Sequence, residues 1–201
     1  MALTVVAGGG GDFKQIEPGT YVARCYRIID LGTQENEWQG EVSFKKQILI
    51  QWEFPTELIE DGEYAGKPFS LSKFYTASLH ENAKLREHLE SWRSRAFTPA
   101  ELLGFDLKNI LGVPCMISVV KNDKGKSIIH NVSAVPKGME CPAQVNPSST
   151  FDITDFSGFD ELTDGIKGII MKSEEYKARG QVEQVMGSDV PPPTDDDMIP
   201  F

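Results

Sequence analysis

Unpaired nucleic-acid bases present flat apolar faces on a charged backbone, so a surface that holds them without reading sequence needs aromatic rings interleaved with Lys and Arg. Such a set lies on segments of this chain that read as strands. Phe74 shares a parity with Ser70, Ser72 and Thr76, a solvent face where an aromatic ring gains little unless something stacks on it. Lys45 and Gln47 fall on the wet side of the preceding strand. Trp38 in a first loop, Arg24, Lys73 and the hairpin lysines Lys121, Lys124 and Lys126 extend the groove. Each has an ordinary alternative: Trp38 as a plug at the end of a barrel, Phe74 packed beneath later helices, the lysines simply solvated. Tyr21, Tyr26, Trp52, Phe54 and Tyr75 are assigned to the core.

The elements that must carry these residues follow from periodicity. The stretch TYVARCYRIIDL, Thr20 to Leu31, is rich in aromatic and β-branched residues and predicts a first strand ended by Gly32, with Thr33 to Gly40 a polar loop. Val42 to Phe54 predicts a second strand, with Val42, Phe44, Ile48, Ile50, Trp52 and Phe54 facing a core and the other parity wet. Lys67 to Ala77 predicts a third, Phe69, Leu71 and Tyr75 opposite the Phe74 face. Ser78 and Glu81 have the spacing of a capping box that would open a helix to about Ser94, its stripe Leu85, Leu89 and Trp92. A shorter helix starts at Thr98-Pro99 and stops at Gly104. Val113 to Val120 and Ser127 to Val135 read as two strands joined by the basic tip. Beyond Pro136 a helix from about Phe159, with Leu162, Ile166 and Ile170 in its stripe, and a last one from Ser173 to Gly180 are expected.

Three strands, a helical segment and two strands is the order of the oligonucleotide/oligosaccharide-binding (OB) barrel, whose second and third strands form the binding face. Five strands and one intervening helix can be arranged otherwise, and it is the C-terminal tail that favours this arrangement: the expected fold is mainly β, a five-stranded OB barrel with a helical segment between strands three and four, followed by a flexible acidic tail. In domain terms this gives an N-terminal arm over 1–11, built on the glycine run Gly8 to Gly11, a barrel over 12–140, an extension with short helices over 141–180 and a disordered tail over 181–201.

The tail ends in PPPTDDDMIPF. Prolines keep the approach extended, Asp195, Asp196 and Asp197 stay solvated, and Met198, Ile199, Pro200 and Phe201 offer an apolar end that solubility alone does not require. This Pro-rich linker, acidic run and Ile-Pro-Phe end resembles the C-terminal tip of bacterial single-stranded-DNA-binding proteins. The body, with its Gly-Thr-Tyr start, a Lys-Lys strand and a Leu-rich helix after Tyr-Thr-Ala-Ser, resembles phage-encoded single-stranded-DNA-binding proteins of the same barrel. The resemblance implies a protein that coats and protects single-stranded DNA in phage replication, recombination and repair. It also implies that a polymerase, helicase, primase or nuclease is recruited through the tip. The alternative reading is an adaptor or inhibitor that imitates the tail and never touches DNA; a second is a nuclease with a dispersed site.

The net charge of −10 over 201 residues argues against nucleic acid only if it is evenly spread. It is not: residues 148–201 hold 12 acids and 4 bases, residues 1–147 hold 18 and 16. Cys25, Cys115 and Cys141 lie far apart and share no ligand spacing with His80, His88 or His130, so no metal or other cofactor is expected. The glycine run lacks the strand and Gly-Lys-Ser/Thr of a phosphate loop, and no nucleophile or metallohydrolase motif appears, so no enzyme is expected. With no leader pattern and no run of about 20 apolar residues, the expected location is the cytoplasm, that of the host if the chain is phage-encoded.

Overall fold

The computed structural model describes residues 14–187, apart from the side chains of Trp38 and of residues 181–187. The chain is mainly β. Six strands form one sheet: β1 (Gly19–Trp38), β2 (Glu41–Leu58), β3 (Pro68–Thr76), β4 (Pro114–Lys121), β5 (Ser127–Ser133) and β6 (Ser149–Phe151). Their order is β3-β2-β1-β4-β5, with β6 paired to β1 off that path. The described registers are antiparallel: Thr20 faces Ser118 and Ala23 faces Cys115 between β1 and β4, and Val119 faces Ile129 between β4 and β5. Among the described residues four α-helices accompany them: α1 (Lys84–Arg93), α2 (Pro99–Leu103), α3 (Asp164–Ile170) and α4 (Glu174–Gly187).

The chain divides into two compact units. The first takes residues 14–28 together with Leu49–Thr150. Its core is built where strand alternation aims apolar side chains inward: Ala23 and Cys25 of β1, Ile50, Trp52 and Phe54 of β2, Tyr75 of β3, Cys115, Ile117 and Val119 of β4, and Ile129 and Val132 of β5. Helix α1 adds the expected stripe Leu85, Leu89 and Trp92, and burial of each such side chain is worth about 1.5 to 3 kcal/mol. The Trp92 ring lies 6.1 Å from that of Trp52, and its Nε1 donates to the Pro114 carbonyl at 2.8 Å.

The capping box expected at Ser78 is absent. Ser78 Oγ accepts from the His80 amide, and α1 begins only at Lys84, behind Ala83, which offers no side-chain cap. The box forms instead at α2, where Thr98 and Glu101 satisfy each other's backbone amides and Gly104 ends the helix.

The second unit takes Ile29–Ile48 and residues 151–187. Here the first strand does not stop at Gly32, and Thr33 to Gly40 is not a loop: β1 continues to Trp38 and turns back through Gln39 and Gly40. Both turn residues have positive φ (52° and 83°), as in the mirror-image turns that match strand twist. Gly32 keeps the strand going through a left-handed φ of 74°, and a Cβ there would fall 2.5 Å from Ile153 and 2.7 Å from Ser173. Only glycine fits.

Helix α4 is anchored at that point: Glu175 accepts from the Thr33 amide at 2.7 Å and its hydroxyl at 2.8 Å. Phe159 begins a 3-10 turn, Phe159–Glu161, rather than the expected helix, which starts after Thr163. Helix α4 passes through Gly180 to Gly187 instead of stopping there. Strand β6 was not expected. The expected arm over 1–11 and the tip residues Asp195 to Phe201 lie outside the described residues.

Candidate functional site

Strand alternation fixes which side chains leave the core face of the sheet. On β1 the fully buried Ala23 and Cys25 flank Arg24, so Arg24 points to the outer face. On β2 the fully buried Trp52 and Phe54 flank Glu53 in the same way. That face was expected to be wet; instead Glu53 has no exposed surface and Leu49 is buried as well. An irregular strap, residues 141–147, covers this face.

The strap is tied down at both ends by charged groups. Arg24 donates to the carbonyls of Pro142 at 2.6 Å and Cys141 at 3.5 Å, and to that of Gly112 at 2.6 Å. Glu53 accepts from the amides of Val145 at 2.6 Å and Asn146 at 2.8 Å, and from the Asn146 side chain. A buried carboxylate is tolerable only when so satisfied. Arg24, expected in a groove, is therefore an anchor for the strap.

Strand β3 lies beyond the strap and its outer face is open. Ser70, Ser72, Phe74 and Thr76 are all exposed, and Phe74 keeps 51% of its surface in solvent. This is the aromatic-among-hydroxyls face read from the sequence. Lys73 does not share it. On the same parity as buried Tyr75, Lys73 donates to the Ile129 carbonyl of β5 at 2.7 Å, and burial, with Lys84 adding repulsion, lowers its pKa. Tyr75 shares a 2.7 Å hydrogen bond with His88 Nδ1, and burial lowers the imidazole pKa to about 4.

The basic tip forms as expected between β4 and β5. Asn122 Oδ1 accepts from the amides of Lys124 and Lys126 at 3.0 and 2.9 Å, leaving both lysines exposed. Lys121 is less free, its Nζ lying 4.0 Å from Glu17. Lys126 is three residues from the Ile129 carbonyl that Lys73 holds, about 10 Å along β5. The lysine tip thus ends the strand, β5, whose Ile129 carbonyl Lys73 of β3 holds.

Lys45 and Gln47 belong to the second unit, as does the backbone of Trp38, at the end of β1 rather than in a loop. Lys45 is exposed, while Gln47 donates to Asn36 Oδ1 at 3.2 Å. Val42 and Phe44, expected in the core, are exposed by 53% and 56%, because the hairpin beyond Ile48 carries them past the buried stretch of β2.

Besides the strap, sequence reading missed a cleft in the first unit. Tyr26, Tyr64, Lys67, Ser70 and Asn146 line a cleft of about 390 Å³ at the Ser70 end of the open β3 face. Tyr26 was assigned to the core but is only half-buried, its hydroxyl bonded to Ser70 and its pKa raised by burial. Tyr64 sits on a polar loop, where no periodicity marks it, and the Lys67 ammonium stands 5.2 Å from its ring centroid. Among the described residues no His, Cys, Asp and Glu cluster could hold a metal ion, and no helix is long and apolar enough to cross a membrane. No protein-family model matches the chain, and no curated protein matches it.

Proposed function

We propose that the chain binds single-stranded DNA with little sequence preference, using the outer face of β3 and the lysine tip between β4 and β5. The observation that carries this reading is Phe74: a ring half in solvent on a strand where Ser70, Ser72 and Thr76 are its exposed companions, while Lys124 and Lys126 stand exposed at the tip leading into β5, the strand that Lys73 of β3 reaches. Stacking on such a ring contributes about 1 to 3 kcal/mol per base whatever the base, and the lysines add an attraction to phosphate that weakens with salt.

The same reading takes the sheet to be curled into an OB barrel. Support comes from Lys73, which links β3 and β5, the two ends of the strand order, and from the order of elements itself. On the resemblance of the body and tail, the setting is phage DNA replication, recombination and repair, with the tip Asp195 to Phe201 recruiting other replication proteins.

The test is a fluorescence-polarisation titration of labelled oligo-dT against a duplex of equal length at two salt concentrations. It is run with the full chain and with one stopped after Ser188. Preference for oligo-dT that weakens with salt is expected. Equal affinity for the duplex, or no binding by either chain, overturns the reading.

A further inference from the structure

The Tyr26–Tyr64 cleft adjoins the open face of β3 but is not explained by stacking on Phe74. Its walls come from four places: Tyr26 on β1, the loop between β2 and β3 with Tyr64 and Lys67, Ser70 of β3, and Asn146 of the strap. All are held before any ligand arrives. The loop is closed by the Ile59 amide on the Lys67 carbonyl at 2.9 Å and the Gly66 amide on the Ile59 carbonyl at 2.7 Å. Asn146 is fixed on Glu53, and Tyr26 on Ser70. A volume of about 390 Å³ is within the usual range for small-molecule sites, roughly 300 to 1,000 Å³.

The chemistry selects the part of a nucleotide that would enter. Lys67 is the charged group of the cleft lining, while the rest of the loop carries Asp61 and Glu63, and Glu60 paired with Lys14, so the loop as a whole disfavours phosphate. Two tyrosine rings, three hydroxyls and a carboxamide suit a flat, neutral group with donors and acceptors on its edge. Ser70 lies at the cleft and Phe74 four residues on along the same face, about 13 Å away at the rise of a strand. The strap denies a strand of DNA the outer face of β1 and β2 around Arg24 and Glu53, leaving the β3 face as the way between the two places.

We propose that the Tyr26–Tyr64 cleft receives a nucleobase from the same single strand that stacks on Phe74, its phosphates directed away from the acidic loop. This rests on the single-strand-binding reading. It turns one ring into a two-point track whose course is set by the strap.

The experiment titrates the full chain with a short oligo-dT carrying 2-aminopurine at one end or at its centre, and compares Tyr64→Ala, Tyr64→Phe, Ser70→Trp and Phe74→Ala. Tyr64 and Ser70 are exposed, so melting temperatures close to the parent's are expected and are measured alongside. Tyr64→Ala should weaken binding 5- to 50-fold and abolish the fluorescence quench at one probe position only. Tyr64→Phe should keep both, and Ser70→Trp, which fills the cleft, should behave like Tyr64→Ala. Parent-like affinity and quench in Tyr64→Ala and Ser70→Trp, with Phe74→Ala weakened, would overturn the cleft and leave the single-strand reading standing. Failure of the parent chain to bind oligo-dT would overturn both.

Discussion

Strands β2 and β3 are neighbours in one sheet, yet Glu53 on the outer face of β2 has no exposed surface while Phe74 on the outer face of β3 keeps half of its own. The usual arrangement is inverted: the charge is inside and the aromatic ring outside. What separates them is the strap. It supplies Glu53 with backbone and side-chain donors, which is the condition for burying a carboxylate, and it covers Arg24 on β1 by the same means. Among the described residues nothing comparable reaches Phe74, and half of its apolar surface stays in solvent. A charged residue in a strand is thus no guide to exposure, and an aromatic one no guide to burial, until the next layer of chain is known.

The contrast can be broken most forcefully at Glu53. Glu53→Ala leaves the Val145 and Asn146 amides without their acceptor and should cost about 3 kcal/mol or more in urea unfolding, the scale of charged hydrogen bonds lost from a buried site. Glu53→Gln, which keeps the shape and one carbonyl, should cost less. If the strap were a removable lid over a binding face, freeing it would tighten oligo-dT binding. Unchanged or weaker binding by the folded variant is expected.

Phe74→Ala tests the other half. Stability should change by no more than about 0.5 kcal/mol, since the ring is half in solvent. Oligo-dT affinity should fall by about 1 to 3 kcal/mol, roughly 5- to 150-fold. A variant that loses stability without losing affinity would place Phe74 with Glu53 as a structural residue and remove the contrast.

The inner face of β3 gives a third test. Burial, reinforced by Lys73 and Lys84 and opposed by Glu87, lowers the His88 pKa from 6.5 to about 4. The unfolded chain therefore takes up the proton first. The stability due to neutral His88 is complete above about pH 6.5 and is lost as pH falls towards 4, a change on the order of 2 kcal/mol. Thermal melts at pH 7, 5.5 and 4 should show this loss in the parent chain, and a shallower one in His88→Gln.

Much of the first unit could be read from sequence because its elements obey local rules. Three strands, the Leu85-Leu89-Trp92 stripe, the Thr98 helix and the lysine tip follow from alternation, helical spacing and turn residues. The Phe74 face was legible for the same reason. The strap was not: residues 141–147 have no periodicity, and their meaning lies in Arg24 and Glu53, more than 85 positions away in the chain. Lys73 was misplaced because parity assigns a face but not the carbonyl of another strand that a long side chain can reach. At Gly32 the strand-breaking rule gave way to packing: the left-handed turn of the backbone makes room for Ile153 and Ser173, and β1 goes on. Phe44 and Val42 fit a core period but lie beyond the buried middle of β2.

The finest division is among the lysines. If Lys124 and Lys126 meet phosphate, removing both should make the plot of log affinity against log salt less steep by about 1.4, at roughly 0.7 per phosphate for a single strand. Lys73→Met should leave that slope alone, because its ammonium is held by the Ile129 carbonyl and faces the core side of β3. The two outcomes are separable even if both variants bind somewhat more weakly, since loss of packing shifts the line while loss of a phosphate contact tilts it. A tilt in Lys73→Met would mean that the ammonium leaves Ile129 to reach DNA, which would make the seam between β3 and β5, rather than the outer face of β3 alone, part of the surface that the strand follows.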